Sequence, residues 1–301
     1  LTGDHNLTLV SFKFHRFMFA QSVPGDDTRS VMACGGGSVW TGSVGGHLTV
    51  RQAGSEAVRY VRTDGTLSLE PAVFSPKGVY AIHRSRDGRV WLGTKGGGLY
   101  VLTPKGGRYS VRRFVHSEAD PRSISHDNIY DILEEPGGRI WIATYGGGLN
   151  IAADDGHGGL SFINTRSGLA PFRRAGFSNI RKLAMTPQGV IAASTTGGLV
   201  TFSARQASPG KIKYYYTTHE KGDTASLLAP DVLNAYACQQ SGQLYVTTMG
   251  GGLQCADGGN LLRDGIRLSS VKGLDPDEGM VLSMIEDRRG GLWLIRENSL
   301  N

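Results

Sequence analysis

Around Trp141 the chain alternates apolar runs with tight polar or glycine breaks. Ile129-Tyr130-Asp131-Ile132-Leu133 precedes a turn at Gly137-Gly138. Ile140-Trp141-Ile142-Ala143-Thr144 precedes the triple glycine Gly146-Gly147-Gly148, and Leu149-Asn150 opens a further run. Each run is too short for a helix and rich in β-branched and aromatic residues, which predicts strands. Glycine supplies the positive φ of a hairpin bend without a Cβ clash. The unit is a β-meander of consecutive hairpins.

The same pattern recurs along the chain. Asp87-Gly88-Arg89-Val90-Trp91-Leu92-Gly93-Thr94-Lys95-Gly96-Gly97-Gly98-Leu99 is nearly identical to the segment ending at Leu149. Weaker copies surround Trp40, Ile191, Tyr245 and Trp293. These anchors are spaced by 51, 50, 50, 54 and 48 residues, and all four tryptophans of the chain occupy this position. A repeat of about 40 to 50 residues carrying several strands predicts a β-propeller blade.

First-and-second-strand units number six. Third-and-fourth-strand units also number six, near residues 7–17, 48–60, 99–115, 149–164, 199–217 and 253–268. The expected fold is therefore all-β, a propeller of four-stranded blades with six blades, a seven-bladed or partial ring being the alternative. Residues 1–301 are read as one propeller domain. Its last blade is expected to close by pairing residues 7–17 with the strand of Trp293, which would protect both terminal strands from remaining open edges. Residue 1 falls in mid-pattern, so the chain reads as an excised fragment or a trimmed domain. The connections at 18–30, 62–78, 116–128, 164–179, 218–231 and 269–279 are rich in Asp, Ser, Pro and Gly, as surface loops are.

Composition changes this picture little. Glycine numbers 44 of 301 residues, but the excess is periodic and therefore belongs to turns. No apolar run approaches the roughly 18 residues of a membrane helix. The net charge of +6 is spread without a basic run, so nucleic acid is not an expected partner. The three cysteines, Cys34, Cys238 and Cys255, are an odd count and are expected to be free thiols.

The phrase from Ser123 through Asn150, with its Asn128-Ile129-Tyr130-Asp131-Ile132 entry and its Trp141 and triple-glycine core, resembles the regulator-propeller repeat. That family supplies the periplasmic sensor of hybrid two-component systems in gut Bacteroides. The resemblance implies a periplasmic propeller, part of an inner-membrane receptor, that senses breakdown products of complex polysaccharides. In the family two seven-bladed propellers precede an immunoglobulin-like domain, a membrane helix and a kinase. Six blades and none of the later parts are found here. The implied partners are an oligosaccharide, and in the full receptor a second propeller and a homodimeric copy.

Catalytic chemistry is hard to find. The eight histidines are scattered without metal-ligand spacing. No nucleophile motif precedes a helix. The glycine-rich segments are hairpins rather than phosphate loops, because no helix follows them. The pairs Asp26-Asp27 and Asp154-Asp155 read as solvated loop residues. No catalytic residue, metal or cofactor is expected, and the repeat residues themselves are structural: the anchor tryptophans pack between sheets, and Thr94, Thr144, Thr195 and Thr248 satisfy hairpin backbone groups.

Binding is then expected on loops. In a four-stranded meander the second hairpin and the connection between blades emerge on one face. That face offers Lys95 and Tyr145 at hairpin tips, Tyr80, His126, Tyr130 and Arg181 at entries to inner strands, and Arg173 and Arg174 in the connection before the fourth blade. Aromatic and cationic groups suit a sugar, an acidic one in particular, through stacking and charge-assisted hydrogen bonds. A protein-interaction scaffold is the alternative function. A propeller lyase or glycosidase, with carboxylates assembled from distant loops, is a further one.

Overall fold

In the computed structural model the apolar runs of the repeat are strands, and the helical elements among the described residues are short 3₁₀ turns such as Ala175–Ser178 and Pro209–Lys211. The structure describes residues 2–3, 6–11, 16–20, 23–55, 57–157, 159–206, 208–256, 260–272, 280–287 and 291–296; before residue 21, and at Arg296, only the backbone is described.

The strands pair antiparallel with their neighbours in sequence, without crossovers. The first complete blade comprises Thr28–Ala33, Val39–Ser43, Leu48–Arg51 and Val58–Val61, with Leu67–Ser68 added as a fifth strand. The second comprises Val79–Arg84, Val90–Thr94, Leu99–Lys105 and Arg108–Phe114. The third comprises Ile129–Glu134, Ile140–Thr144, Gly148–Asp154 and Leu160–Ile163. Ile180–Met185, Val190–Thr195, Gly198–Ser203 and Tyr215–Thr217 form the fourth. Val232–Ala237, Leu244–Thr248, Gly251–Ala256 and Ser269–Ser270 form the fifth. Two smaller sheets complete the set: Thr2–Gly3 with Asn6–Ser11 and Arg16–Ala20, and Val281–Glu286 with Leu292–Arg296. The architecture is a β-propeller, and the count fits six blades.

The strands group into two compact units, residues 1–134 and 135–301. In the first unit the strands Thr28–Ala33, Val79–Arg84 and Ile129–Glu134 lie side by side, so the first strand of each blade is the innermost. Between the first and second blades a core forms from Trp40, Leu48, Val50, Phe74, Val90, Leu92 and Leu102. In the second unit Ile180–Met185, Val232–Ala237 and Val281–Glu286 follow one another in the same way. There the core joins Ala192 and Leu199 to Leu227, Val232, Leu244 and Val246. Trp91 and Trp141 are wholly buried, and the Trp141 ring meets Phe202 of the next blade at 5.1 Å. Burial of that size makes the anchor position a substantial contributor to packing between blades.

The glycine hairpins are required sterically. Gly98 adopts φ +83, and a Cβ there would collide with the carbonyl of Phe114; one on Gly46 would collide with the carbonyl of Ser75. Thr94, Thr144 and Thr195 each donate their hydroxyl across the hairpin, to Gly98 O (2.7 Å), Gly148 O (2.9 Å) and Gly198 O (2.6 Å). Thr248 departs from that expectation. Its buried hydroxyl has no partner among the described residues, because the register of its hairpin slips between Val246 and Thr248.

Other boundaries differ from the sequence reading. The outer strand near the start is Arg16–Ala20, pairing Leu9 with Met18 and Leu7 with Ala20, so residues 18–20 belong to a strand rather than a connection. Residues 12–15 lie outside the described residues. Leu67–Ser68 forms a strand inside what reads as a loop, because Tyr60 and Val61 still offer an unpaired edge to it. All three cysteines are free. Asp26 is not a solvated loop carboxylate. It accepts from Gly45 N–H (2.8 Å) and pairs with His47 Nδ1 (2.7 Å), fixing the hairpin of the first blade. Burial acts to raise the Asp26 pKa, but the hydrogen bonds of Ser43, His47 and Gly45 outweigh it and hold the carboxyl below its ordinary value.

Candidate functional site

Four hairpin tips are fastened to the entry of their own blade by one repeated contact. The N–H of Val44 donates to Asp27 O (2.8 Å), that of Lys95 to Gly78 O (3.0 Å), that of Thr196 to Asn179 O (3.2 Å) and that of Met249 to Asp231 O (2.9 Å). The tip residue is thereby held beside the first residues of the innermost strand.

At that entry the strand ladder slips by one residue. The register shifts between Thr28 and Ser30, between Ile180 and Lys182, between Val232 and Asn234, and between Val281 and Ser283. In the second blade Thr94 pairs with Val79 and Gly93 with Ala81, passing over Tyr80. The residues passed over are Arg29, Tyr80, Arg181, Leu233 and Leu282. This is a β-bulge, a device that frees a side chain from the ladder and re-aims it. Tyr130 holds the same sequence position in the third blade.

In the first unit the bulge brings together much of what the sequence singled out. The Tyr80 and Tyr130 rings meet edge to face at 5.3 Å. The Arg29 guanidinium lies 4.7 Å from the Tyr80 centroid, and Lys95 Nζ lies 5.7 Å from it. Both cations are exposed and have no ion-pair partner among the described residues. His126 is employed otherwise: its Nδ1 accepts the N–H of Asn128 (2.9 Å), which shapes the turn into Ile129–Glu134. Sequence reasoning missed Arg29. The signal was its register, 51 residues before Tyr80, inside a run too polar to read as an inner strand.

In the second unit Arg181 lies 5.4 Å from the Tyr145 ring. Its guanidinium is already held at two points by Asp231, Nε to Oδ1 at 2.9 Å and Nη2 to Oδ2 at 2.8 Å. Asp231 is a second residue the sequence reading missed, since the pair spans fifty positions of chain. Arg173 stacks on Tyr216 at 3.9 Å, and its N–H donates to the Tyr216 hydroxyl (3.0 Å). Phe172 packs on Tyr214 at 4.7 Å. The Tyr214 hydroxyl donates to Ala170 O, and burial raises its pKa far above the usual tyrosine value. Arg174 is exposed just before the turn Ala175–Ser178, where its carbonyl accepts from Phe177 N–H (3.3 Å).

Each unit therefore presents aromatic rings flanked by cations at the hairpin-tip end of its blades. Such an arrangement can stack on a pyranose face and pair with a carboxylate. Among the described residues no three His, Cys, Asp or Glu side chains gather to hold a metal ion. No helix of the described residues is long and apolar enough to cross a membrane.

The model of the two-component regulator propeller family matches residues 74–96 and 123–146. Two segments of the chain thus match the regulator-propeller repeat. Both matched segments run from the entry of an innermost strand to the glycine hairpin, so the regulator-propeller repeat coincides with the tip-to-entry bond and the aromatic pair Tyr80 and Tyr130. No curated protein matches the chain in a sequence search. Among solved structures, an extracellular domain from B. thetaiotaomicron assigned to a hybrid two-component system is similar at 17% identity and a TM-score of 0.58, covering 92% of this chain and 38% of that one. The chain thus spans well under half of that domain. Virginiamycin B lyase from Staphylococcus aureus is similar at 11% identity and a TM-score of 0.61, covering 97% and 81%. PorZ, a surface component of the type-IX secretion system of Porphyromonas gingivalis, is similar at 14% identity and a TM-score of 0.60, covering 97% and 43%. At these identities the likeness is one of fold.

Proposed function

We propose that this propeller is the ligand-sensing part of a two-component regulator, displayed in the periplasm, and that it binds oligosaccharides released from polysaccharides, acidic ones preferentially. The observation that carries the reading is the coincidence of regulator-propeller repeats with aromatic rings flanked by arginine and lysine at the hairpin tips. Variable loops on a rigid scaffold are where specificity tends to sit. The chain itself performs no chemistry on the ligand in this reading, and the kinase output belongs to other parts of the receptor.

Calorimetry with an oligogalacturonate tests it. A micromolar or weaker affinity is expected, about −8 kcal/mol or smaller in magnitude. Arg174→Ala and Tyr145→Ala are each expected to weaken binding by about 1–3 kcal/mol without unfolding the chain. Absence of binding by the unaltered chain, or unchanged affinity in both variants, refutes the reading. Steady release of product from the oligosaccharide would favour the enzyme alternative.

A further inference from the structure

The turn before the anchor residue is built alike in successive blades. Its first residue donates N–H to the residue that closes it: Cys34 to Ser38 O, Ser85 to Arg89 O, Glu135 to Arg139 O and Asp287 to Gly291 O, at 2.8 to 3.0 Å. That first residue also serves the anchor tryptophan six positions on. Trp91 Nε1–H donates to Ser85 Oγ (2.9 Å), Trp141 to Glu135 Oε2 (3.2 Å) and Trp293 to Asp287 Oδ2 (3.0 Å). In the second and third blades the closing arginine then covers the indole, Arg89 at 5.0 Å from Trp91 and Arg139 at 5.9 Å from Trp141.

The first blade keeps the turn and loses both contacts. Cys34, a poor acceptor, stands where Ser85 and Glu135 stand, and the Trp40 indole N–H has no partner among the described residues. Ser38 replaces the covering arginine, and Gly35-Gly36-Gly37 leave the turn without side chains. What opens beside Trp40 is a cavity of about 290 Å³ between the first and second blades, wholly within the first unit. Its walls include Leu67, Val90 and the Tyr109 ring, which meets Trp40 edge to face at 5.5 Å. Ser38, Gln52 and Arg84 supply its polar side, and among the described residues no carboxylate lines it. Arg84 has no ion-pair partner among the described residues. The volume stands at the lower edge of small-molecule sites, room for about one ring.

We infer that this cavity, opened by the loss of the arginine cover and the indole acceptor, binds a small carboxylic acid with a one-ring apolar body. The Arg84 guanidinium takes the carboxylate, the Trp40 N–H is an additional donor, and the apolar walls take the ring. The site is separate from the hairpin-tip residues and does not depend on the sugar-sensing proposal.

Benzoate is the probe, and the indole signals of the chain labelled with ¹⁵N-tryptophan are the readout, with Trp40 assigned by its loss in Trp40→Phe. The Trp40 signal is expected to move and saturate at millimolar benzoate, while the other three stay in place. Benzyl alcohol, the same ring without the charge, is expected to bind at least about tenfold more weakly. Arg84→Gln should weaken benzoate by about tenfold or more. Ser38→Arg, which restores the cover present in the next two blades, should abolish binding. In both variants the other indole signals report that the blades are intact. A Trp40 signal indifferent to benzoate, or benzoate binding that survives Ser38→Arg, overturns the site. Unchanged affinity in Arg84→Gln, or equal binding of benzyl alcohol, overturns the carboxylate.

Discussion

Arg181 and Asp231 form a two-point ion pair between the innermost strand of the fourth blade and the entry to the fifth. The same Asp231 gives its backbone carbonyl to Met249 N–H at the fifth hairpin tip. One residue thus fixes a bulged arginine with its side chain and a hairpin with its main chain. Both side chains are about a quarter exposed, so solvent screens the pair. Asp231→Asn is expected to lower stability by only about 0.5–1 kcal/mol in urea denaturation. It should also remove the negative charge beside Arg181, so an acidic ligand of this end is expected to bind more tightly in calorimetry. A loss above about 3 kcal/mol would mean the pair behaves as a fully buried one.

Trp141 combines complete burial with a hydrogen bond to Glu135, itself 3.4 Å from Arg139. Trp141→Ala is expected to cost about 3–5 kcal/mol. Trp293→Ala should cost less, because that ring is only half-buried. Denaturant titrations of the two variants give the comparison, and equal losses would contradict it.

Asp87 predicts an acid limb. Burial raises its pKa, but hydrogen bonds from Arg89 and Ser85 prevail and lower it from the ordinary 3.8 to about 2. A carboxylate with a depressed folded-state pKa stabilises the fold above its unfolded value and loses that contribution as pH falls through the folded one. The contribution of Asp87 should therefore disappear between about pH 4 and pH 2. Its side chain is half exposed, so the effect is small. Asp87→Asn should make stability flatter across that interval, and a steeper fall would reverse the assigned sign.

The equal number of early-strand and late-strand units leads to the expectation that residues 7–17 close the last blade on the strand Leu292–Arg296. Amide exchange of Leu292–Ile295 provides the measurement. Deleting residues 1–20 is expected to strip their protection, and equal protection with and without that segment would refute the closure.

Much of the fold was legible because short apolar runs between glycine turns and a recurrent tryptophan are local in sequence. Tyr80, Tyr130 and Lys95 were legible as a group because the repeat places them at fixed offsets. The strand Arg16–Ala20 and the added strand Leu67–Ser68 were missed at their edges, since a strand lengthens wherever a neighbour still offers unpaired amides, which no local pattern records. The turn hydrogen bond that His126 accepts from Asn128 was not legible, because an exposed imidazole and a turn-forming one look alike in sequence. The Arg181–Asp231 pair escaped because each partner alone reads as ordinary surface. The cavity at Trp40 escaped for a different reason: Cys34 and Ser38 become informative only beside Ser85 and Arg89.

The bulge at the start of the innermost strands has an evolutionary consequence. A residue passed over by the ladder has no partner in the neighbouring strand of its own blade, so replacing it leaves the pairing of that blade undisturbed. Arg29, Tyr80, Arg181, Leu233 and Leu282 already differ in charge, size and polarity at one structural position. Each such blade holds a single letter that can be rewritten without rewriting the sheet, and a lineage could change what it recognises one blade at a time.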